Sequence, residues 1–228
     1  IEQAQTEQIR FLASASHELK TPLAVISTSA DLLKQKSQDL AEPCHLIQQQ
    51  TRQMGRLIDD MLLLANSDAD TLTIKPEACQ PDLLLLDTYE KFEPLARKNG
   101  LHLILTLPEE ILPDCFCDIH RTEQIFSIIV DNALCYTPSG GKVTLSCHAE
   151  NEMLCFLFKD TGCGISEEKK SHIFERFYRA DDAHTDREHF GLGLCIAKEL
   201  TEKQNGNIQV VDAPISGSCF MVQLPCAL

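Results

Sequence analysis

The sequence has no stretch of about 20 apolar residues, the length that a helix needs to span a bilayer, and no signal peptide. It begins with Ile1 rather than Met, so we expect it to be a piece of a longer protein. Basic residues are also few: 20 Lys and Arg stand against 34 Asp and Glu, a formal net charge of -14. Nucleic acid and anionic membranes would repel such a chain. Any bound phosphate must therefore be held by backbone donors and a few placed cations.

The cysteines lack the two closely spaced ligand pairs that are typical of a zinc site. There are eleven of them, an odd number scattered over 228 residues, unlike the short, loop-rich frame of a secreted disulfide protein. Several lie in apolar stretches, for example Cys195 and Cys219, which predicts reduced, buried thiols. The tightest cluster, Cys115, Cys117 and His120, has no second ligand pair and does not predict a metal site.

Two long helical patterns open the chain. From about residue 2 to residue 36, apolar or small residues follow a heptad pattern. After a turn near residues 37–43, a second pattern runs to about Asn66, with Leu57 and Leu64 on its seam. Two helices joined by a short connection predict an antiparallel hairpin, and two such hairpins can bury both seams as a four-helix bundle. We therefore expect a homodimer.

Beyond Asp68 the pattern changes to short strands that alternate with helices. This predicts an α/β sandwich with a mixed sheet, and the α+β class for the whole chain. We expect residues 1–68 to form the hairpin, residues 69–75 a linker and residues 76–228 the second domain. The predicted strands are 71–74, 101–107, 142–148, 153–159, 207–211 and 218–224, and the predicted helices are 82–99, 119–135 and 192–204.

The first segment with chemical potential is Ser16-His17-Glu18-Leu19-Lys20-Thr21-Pro22-Leu23. His17 lies beside the apolar seam, where its imidazole can reach a donor outside the helix. Glu18 can accept the proton of one ring nitrogen and leave the other nitrogen nucleophilic. Pro22 removes a backbone donor and predicts a bend. Taken alone, the segment fits an ordinary exposed histidine beside a tolerated proline better than a reactive one.

Three further segments have the composition of a nucleotide site. Asp160-Thr161-Gly162-Cys163-Gly164 follows an apolar strand, where glycines permit close approach and an aspartate can accept a hydrogen bond from an adenine amino group. Phe190-Gly191-Leu192-Gly193-Leu194 leads into a helix, whose N-terminus favours an anion. Asn132 ends another helix and is an oxygen donor suited to Mg²⁺. The second segment lacks the third glycine of a Rossmann fingerprint and the Gly-Lys-Ser/Thr of a Walker A loop.

In this order, and over essentially the whole chain, the segments resemble the bacterial sensor histidine kinases of two-component systems. The His17 segment is similar to the family's H box and the Asn132 helix to its N box. The resemblance implies a dimerisation and histidine-phosphotransfer hairpin, followed by an ATPase domain of the GHKL or Bergerat type. The other matches are Asp160–Gly164 to the G1 box, Gly191–Gly193 to the G2 box, Phe174-Glu175-Arg176-Phe177-Tyr178-Arg179 to the F box, and Gly217-Ser218-Cys219-Phe220 to the last strands.

The resemblance also implies a role for each matching residue. His17 is implied to be the phospho-acceptor, Glu18 its general base, and Thr21 a residue that supports hydrolysis of a partner's phospho-aspartate. Asn132 is implied to bind Mg²⁺ and Asp160 the adenine of ATP. Residues 178–190 are implied to form a lid, with His184 or Arg187 near the triphosphate. The remaining implied ATP contacts are Tyr136, Gly162, Gly164, Arg176, Arg179, Gly191, Leu192, Gly193, Leu194 and Ser218.

The sequence departs from the family pattern at three points. Ile128 stands one helical turn before Asn132, where the N box usually has an earlier asparagine. Cys135 replaces the usual lysine before the Tyr-Thr pair. The glycine-rich approach to the G2 box is reduced to Glu188-His189-Phe190. We therefore expect weakened Mg-ATP binding.

Three functions stay open at this point. The prediction is an ATP-dependent histidine kinase that passes phosphate to an aspartate of a response-regulator receiver domain and also acts as its phosphatase. The alternatives are a kinase-impaired phosphatase or scaffold, motivated by Ile128 and Cys135, and an ATP-gated clamp of the gyrase or Hsp90 kind, which has no acceptor histidine. The resemblance implies the cytoplasmic portion of a bacterial membrane protein, which touches the membrane only through an N-terminal sensor region outside this chain. No nucleic-acid partner is expected.

Overall fold

The computed structural model describes residues 19–30, 33, 41–179, 190–211 and 217–227. Helix α1 covers residues 19–30 and helix α2 covers Ala41–Asp68. The predicted seam residues Leu57 and Leu64 of α2 are fully buried, and Leu19 of α1 packs against the same cluster. Every helix among the described residues is too short or too polar to cross a bilayer.

Helix α2 ends in a tight turn, and the prediction of a strand over residues 71–74 is wrong. The backbone N–H groups of Thr71 and Leu72 both donate to the Asn66 carbonyl, at 2.9 and 3.2 Å. The Thr71 hydroxyl donates to the same oxygen at 3.1 Å. Because these donors satisfy the open end of α2, they are not available for a β-ladder. The first strand, β1, begins only at Glu77 and ends at Cys79.

The second half of the chain contains a five-stranded sheet. The sheet is mixed, as predicted. Its strands are β2 (His102–Thr106), β4 (Lys142–Glu150), β5 (Met153–Asp160), β6 (Asn207–Val211) and β7 (Cys219–Pro225). Their order across the sheet is β2-β4-β5-β7-β6. Strand β2 runs parallel to β4, and the other neighbours are antiparallel.

Three helices cover one face of this sheet: α3 (Pro81–Lys98), α4 (Ile119–Tyr136) and α6 (Gly193–Glu202). Alternate residues of β5 point into the layer between sheet and helices and are buried. Phe126 of α4 fills that layer, with ring centroids 4.8 Å from Phe156 and 5.0 Å from Phe158. This packing holds α4 against the sheet and gives the α/β sandwich that the pattern predicts.

Three short elements were not predicted. They are strand β1, strand β3 (Cys115–Cys117), which pairs antiparallel with β1, and helix α5 (Glu167–Lys170). Segments of three or four residues are too short for a hydrophobic period to reveal them. All three lie outside the main sheet, so the predicted topology is unaffected.

The end of α2 is tied to α6 and its surroundings by side-chain bonds. Arg176 donates two hydrogen bonds to Asp68, at 2.8 and 2.6 Å, in a bidentate pair. The Ser67 hydroxyl donates to Glu199 at 2.7 Å, and Lys203 pairs with Asp70. These bonds place one side of α2 next to the helix whose start carries the predicted phosphate-binding glycines.

Candidate functional site

One cavity of about 510 Å³ brings most of the predicted site residues together. It lies between α4, the loop after β5, the start of α6 and one side of α2. Its volume falls within the range of about 300–1,000 Å³ that is usual for small-molecule sites. The predicted residues that line it are Asn132, Tyr136, Asp160, Gly164, Arg179, Gly191, Leu192, Gly193, Leu194 and Ser218.

Asp160 is the most buried charged residue of the cavity, with 4% of its surface exposed. Its Oδ1 accepts hydrogen bonds from the backbone N–H of Gly162 at 2.7 Å and of Ser218 at 3.2 Å. Burial raises the pKa of Asp160, and these two hydrogen bonds partly offset that rise. They fix the carboxyl group and leave Oδ2 with capacity to accept a donor from a ligand.

The glycines around Asp160 are required by close backbone contacts. A Cβ on Gly162 would lie 2.4 Å from the Tyr136 carbonyl oxygen. A Cβ on Gly217 would lie 2.1 Å from the Asp160 carbonyl oxygen, and Gly217 has a φ of +85°. Gly162 therefore supports the site from behind and does not itself line the cavity. The sequence motif pointed to this residue, but only the structure shows which side of the loop it packs against.

Asn132 is positioned by its own helix. Its Nδ2 donates to the Ile128 carbonyl at 3.0 Å, so Oδ1 is the atom left for a ligand. Ile128 also lines the cavity, and its Cγ2 would lie 3.1 Å from a Cβ on Gly193. Cys135, the other departure from the family pattern on this helix, is not among the lining residues.

The start of α6 forms the anion-binding part of the cavity. Among the described residues, no side chain caps the first turn of α6, whose N-cap is Leu192. Its first backbone N–H groups therefore face the cavity with the positive end of the helix dipole. Gly191, with a φ of +72°, precedes this turn, and its carbonyl accepts from the Phe177 N–H at 2.9 Å.

Four charged lining residues were missed at the sequence level: Arg56 and Asp60 of α2, Asp131 of α4, and Lys169 of α5. Arg56 and Asp60 are four residues apart, which in sequence looks like an ordinary pair on a helix surface. The pKa of Asp60 is raised to about 6, first by burial and second by the charge of Asp59, while Arg56 partly opposes the rise. No sequence motif links α2 to this cavity, because the contact exists only after the two halves of the chain pack together.

Several predicted residues lie elsewhere. Arg176 does not line the cavity but pairs with Asp68 of α2. Thr21 is exposed on α1 and is not among the lining residues. His17, Glu18 and residues 180–189 of the implied lid, with His184 and Arg187, lie outside the described residues.

The residues present fit the nucleotide that the resemblance implies. The cavity offers a buried carboxylate for a base, a free helix N-terminus for phosphates and three cations, Arg56, Lys169 and Arg179. For Mg²⁺, Asn132 supplies one carbonyl oxygen and Ile128 supplies none, while the carboxyl-bearing Asp131 next to Asn132 also lines the cavity. Mg²⁺ readily keeps several water ligands, so one protein oxygen together with triphosphate oxygens is compatible with binding.

The cysteines are free, as predicted, and Cys195 and Cys219 are buried. The cluster of Cys115, Cys117 and His120 that the sequence suggests has a different third member in the structure. His120 has a side chain 93% exposed and lies 3.6 Å from Glu123, away from the two cysteines beside it. Cys79 of β1 takes its place, because β1 pairs with β3. Spacing along the chain could not reveal this partner, which is 36 residues from Cys115.

Comparisons with known proteins match both halves of the chain. The family model described as histidine kinase-, DNA gyrase B-, and HSP90-like ATPase matches residues 117–228. The His Kinase A (phospho-acceptor) domain model matches residues 7–70. The sensor histidine kinase RppB of Synechocystis sp. is 32% identical over 231 residues, which cover 99% of this chain and 50% of RppB. The sensor protein SrrB of Staphylococcus aureus is 31% identical over 222 residues, which cover 94% of this chain and 37% of SrrB.

Solved structures share the fold. The histidine kinase AdeS of Acinetobacter baumannii superposes with a TM-score of 0.76 at 21% identity, over 93% of this chain and 98% of AdeS. ShkA in complex with AMPPNP gives a TM-score of 0.72 at 25% identity, over 95% of this chain and 45% of ShkA. The histidine kinase ThkA in complex with the response regulator TrrA gives 0.74 at 20% identity, over 99% of this chain and 66% of that chain.

The chain thus spans half the length of RppB and less of SrrB. Its first part matches a phospho-acceptor domain, and its second part matches an ATPase domain whose cavity gathers the N, G1 and G2 motif residues. The chain therefore belongs to the sensor histidine kinases of two-component systems.

Proposed function

We propose that this chain is the core of an ATP-dependent protein-histidine kinase, which phosphorylates His17 from Mg-ATP and passes the phosphoryl group to an aspartate of a response regulator. The observation that carries the proposal is one cavity, where Asp160, Asn132 and the start of α6 converge beside α2. Helix α2 belongs to the region that matches a phospho-acceptor domain. The nucleotide site therefore faces the part of the chain that contains the acceptor.

The described residues divide the work of holding the nucleotide. Oδ2 of Asp160 accepts a hydrogen bond from the adenine amino group, while Oδ1 keeps its hydrogen bonds from two backbone N–H groups. The open N–H groups at the start of α6 bind the phosphates, supported by Arg179 and Lys169. These local donors are needed because the chain as a whole carries a formal charge of -14. Asn132 Oδ1 would ligate Mg²⁺, which when bound offsets triphosphate charge.

The phosphoryl transfer is proposed at His17. A ring nitrogen attacks the terminal phosphorus, the bond from that phosphorus to the leaving oxygen of ADP breaks, and Glu18 accepts the proton of the imidazole. The histidine phosphate is then attacked by a carboxylate of the regulator, which frees the imidazole. ShkA has been solved with AMPPNP and ThkA with the response regulator TrrA, and both share this fold.

The test replaces His17 with Gln and follows transfer of radiolabel from γ-labelled ATP. We expect no acid-labile label in His17→Gln and unchanged nucleotide binding. The matched control is His45→Gln, since His45 is an exposed histidine of α2. Labelling of His17→Gln at the wild-type level, or its loss in the His45 variant alone, would contradict the proposal.

We infer a homodimer as the working form. Leu23 of α1 and Ile58 and Leu62 of α2 are large apolar side chains that are 57%, 46% and 57% exposed in one chain. Ile58 and Leu62 are four residues apart and share one face of α2. A second hairpin would cover that face as a four-helix bundle, which sedimentation of the purified chain measures.

The domain division at residues 68 and 76, the phosphatase role of Thr21 and the cytoplasmic location stay predictions from the sequence. The second candidate function is a kinase-impaired phosphatase or scaffold. One observation favours it: Ile128 puts an apolar side chain into the cavity one turn before Asn132. The absence of any Mg-dependent ATP binding to the wild-type chain would favour this second function.

A further inference from the structure

Three cysteine side chains gather on one face of the small sheet formed by β1 and β3. In the antiparallel pairing Cys79 lies opposite Cys115, and Glu77 lies opposite Cys117. Since alternate residues of a strand share a face, Cys115 and Cys117 point the same way, and Cys79 meets them from the other strand. The three Sγ atoms all lie within 4.8 Å of one another, and those of Cys79 and Cys117 are 3.4 Å apart.

The cluster lies at the start of a helix and is open to solvent on one side. Cys117 immediately precedes Asp118, the N-cap of the 18-residue helix α4, so it lies at the positive end of that helix. Cys115 and Cys117 are fully buried, whereas Cys79 is half-buried. Cys79 is therefore the side from which an ion from solvent can reach the cluster.

We propose that Cys79, Cys115 and Cys117 form a binding site for a thiophilic metal ion, with Zn²⁺ bound by three thiolates and a fourth position open toward Glu77. Two thiolates at about 2.3 Å from a tetrahedral Zn²⁺ are about 3.8 Å apart, a separation that fits a cluster of this size. Glu77 is exposed on the same face of the sheet and can supply an oxygen or hold a water. Each thiol that binds loses its proton to solvent.

A disulfide fits this cluster less well than a metal ion does. The two sulfurs at 3.4 Å belong to diagonal partners of the sheet, Cys79 and Cys117. Diagonal partners are typically about 7–8 Å apart, beyond the limit of about 6.8 Å between the Cα atoms of a disulfide. A disulfide would also leave the third thiol buried beside it, whereas one metal ion takes all three sulfurs.

The site is separate from the nucleotide cavity, which none of the three cysteines lines. It lies where the segment after α2 attaches to the ATPase domain. The Lys75 backbone N–H donates to Asp118 at 2.9 Å, and Asp118 is held in turn by Gln204 at 2.7 Å. A bound metal would pin β1 to β3 at this point, so metal binding should stabilise the fold whether or not the chain is a kinase.

The test titrates the reduced, metal-free chain with Co²⁺, whose thiolate complexes absorb in the near ultraviolet. We expect one equivalent of Co²⁺ to give a charge-transfer band with the intensity of three thiolates, which Zn²⁺ then displaces. The same Zn²⁺ should raise the midpoint of thermal unfolding. Cys79→Ser, the half-buried member and thus the variant most compatible with folding, should lose both effects, with circular dichroism verifying that it is folded.

Two control variants locate the signal. Cys44→Ser removes an exposed cysteine of α2 and should keep the full band. His148→Gln removes a donor from the second group of candidate ligands, His148, Glu150 and Cys155, and should also keep it. An undiminished band in folded Cys79→Ser would overturn the proposal. So would a reduced wild-type chain that binds no metal.

Discussion

At the scale of single residues, the same side-chain type acquires different properties from its surroundings. Asp59 and Asp60 are neighbours on α2, but Asp59 is exposed and Asp60 lines the nucleotide cavity. Conversely, two different side chains can share one environment. Ile128 and Asn132 occupy successive turns of α4, and both reach the cavity. The chemistry of the site is therefore set by which residues the packing brings together, and two substitutions test this directly.

Asp60 should destabilise the folded chain above its own pKa. Burial and the charge of Asp59 raise that pKa from 3.8 to about 6, so above pH 6 the folded state carries a charge that the unfolded state carries more easily. The cost is fully present above pH 6 and disappears as the pH falls toward 4. Asp60→Asn should therefore add about 1–2 kcal/mol to the free energy of unfolding at pH 7.5, after allowance for solvent screening, and almost nothing at pH 4.

Urea denaturation at both pH values measures this difference. The control is Asp87→Asn, because Asp87 is an exposed aspartate of α3. We expect that variant to change stability by no more than about 0.5 kcal/mol at either pH. An equal gain for Asp60→Asn at pH 4 and pH 7.5 would show that its charge is not the cause.

Ile128→Asn should tighten Mg-dependent ATP binding. Ile128 is half-buried and lines the cavity, so an amide there meets water and adds an oxygen next to Asn132. We expect a gain of about threefold to tenfold, or about 1 kcal/mol. Asn132→Ala should weaken binding by about tenfold or more, which is about 1.4 kcal/mol.

Calorimetric titration with and without Mg²⁺ measures both variants. Ile128→Val serves as control, because it shortens the side chain without adding an oxygen. An affinity for ATP that changes equally with and without Mg²⁺ would mean that position 128 acts through packing alone.

At the scale of elements, the start of α6 matters most. The loop before it must turn sharply, and its Gly191 lies against the backbone of Phe177 and Tyr178. The first N–H groups of α6 are the proposed phosphate donors, and the loop conformation decides whether they face the cavity. The position of these N–H groups is therefore sensitive to a single methyl group added in the loop.

Gly191→Ala should impair both stability and nucleotide binding. A Cβ there would lie 2.8 Å from the Phe177 carbonyl carbon and the Tyr178 oxygen, at a φ of +72°. We expect a loss of about 1–3 kcal/mol in the free energy of unfolding and at least about tenfold weaker ATP binding. Thermal denaturation and calorimetry measure the two effects.

Gly55→Ala is the matched control, since Gly55 lies inside α2 and a Cβ there meets nothing within 4 Å. Alanine at that position should stabilise the helix by about 0.5–1 kcal/mol and leave ATP affinity unchanged. If Gly191→Ala behaved like Gly55→Ala, the loop would not have the proposed role.

At the scale of the whole molecule, the two parts of the chain meet where α2 ends. The bidentate pair of Arg176 with Asp68 and the bond of Ser67 to Glu199 connect the two parts across more than 100 residues of sequence. Arg56 and Asp60 complete the cavity from the same helix. Docking of the helical part on the ATPase part therefore shapes the nucleotide site.

Arg176→Ala should loosen this docking without changing nucleotide affinity. Arg176 does not line the cavity, so the dissociation constant for Mg-ATP should stay within about twofold. Hydrogen exchange at the end of α2 should become faster, because the bidentate pair is lost. The charge-swapped double variant Asp68→Arg, Arg176→Asp should recover much of the protection.

The control for that comparison is Arg97→Ala, which removes an ion pair with Glu93 inside α3. It should change exchange only locally. A large loss of ATP affinity in Arg176→Ala would instead support the nucleotide contact that the resemblance implies for this residue.

The sequence alone determined the class of fold, the order of the main strands and helices and the core of the site. Heptads, alternation and glycine motifs are local signals, because each depends on residues a few positions apart. Asp160, Asn132 and Gly191–Gly193 could be named for that reason, and the structure places all of them at one cavity. The strand predicted over residues 71–74 failed because bonds to Asn66 at the end of α2 took its donors.

Only the tertiary structure decided which distant residues meet. Arg56 and Asp60 join the cavity because α2 packs against α6, and Cys79 joins Cys115 and Cys117 because β1 pairs with β3. Such contacts depend on burial and on pairing between segments far apart in sequence. Neither leaves a period or a spacing in the sequence, so they follow from the packed fold alone.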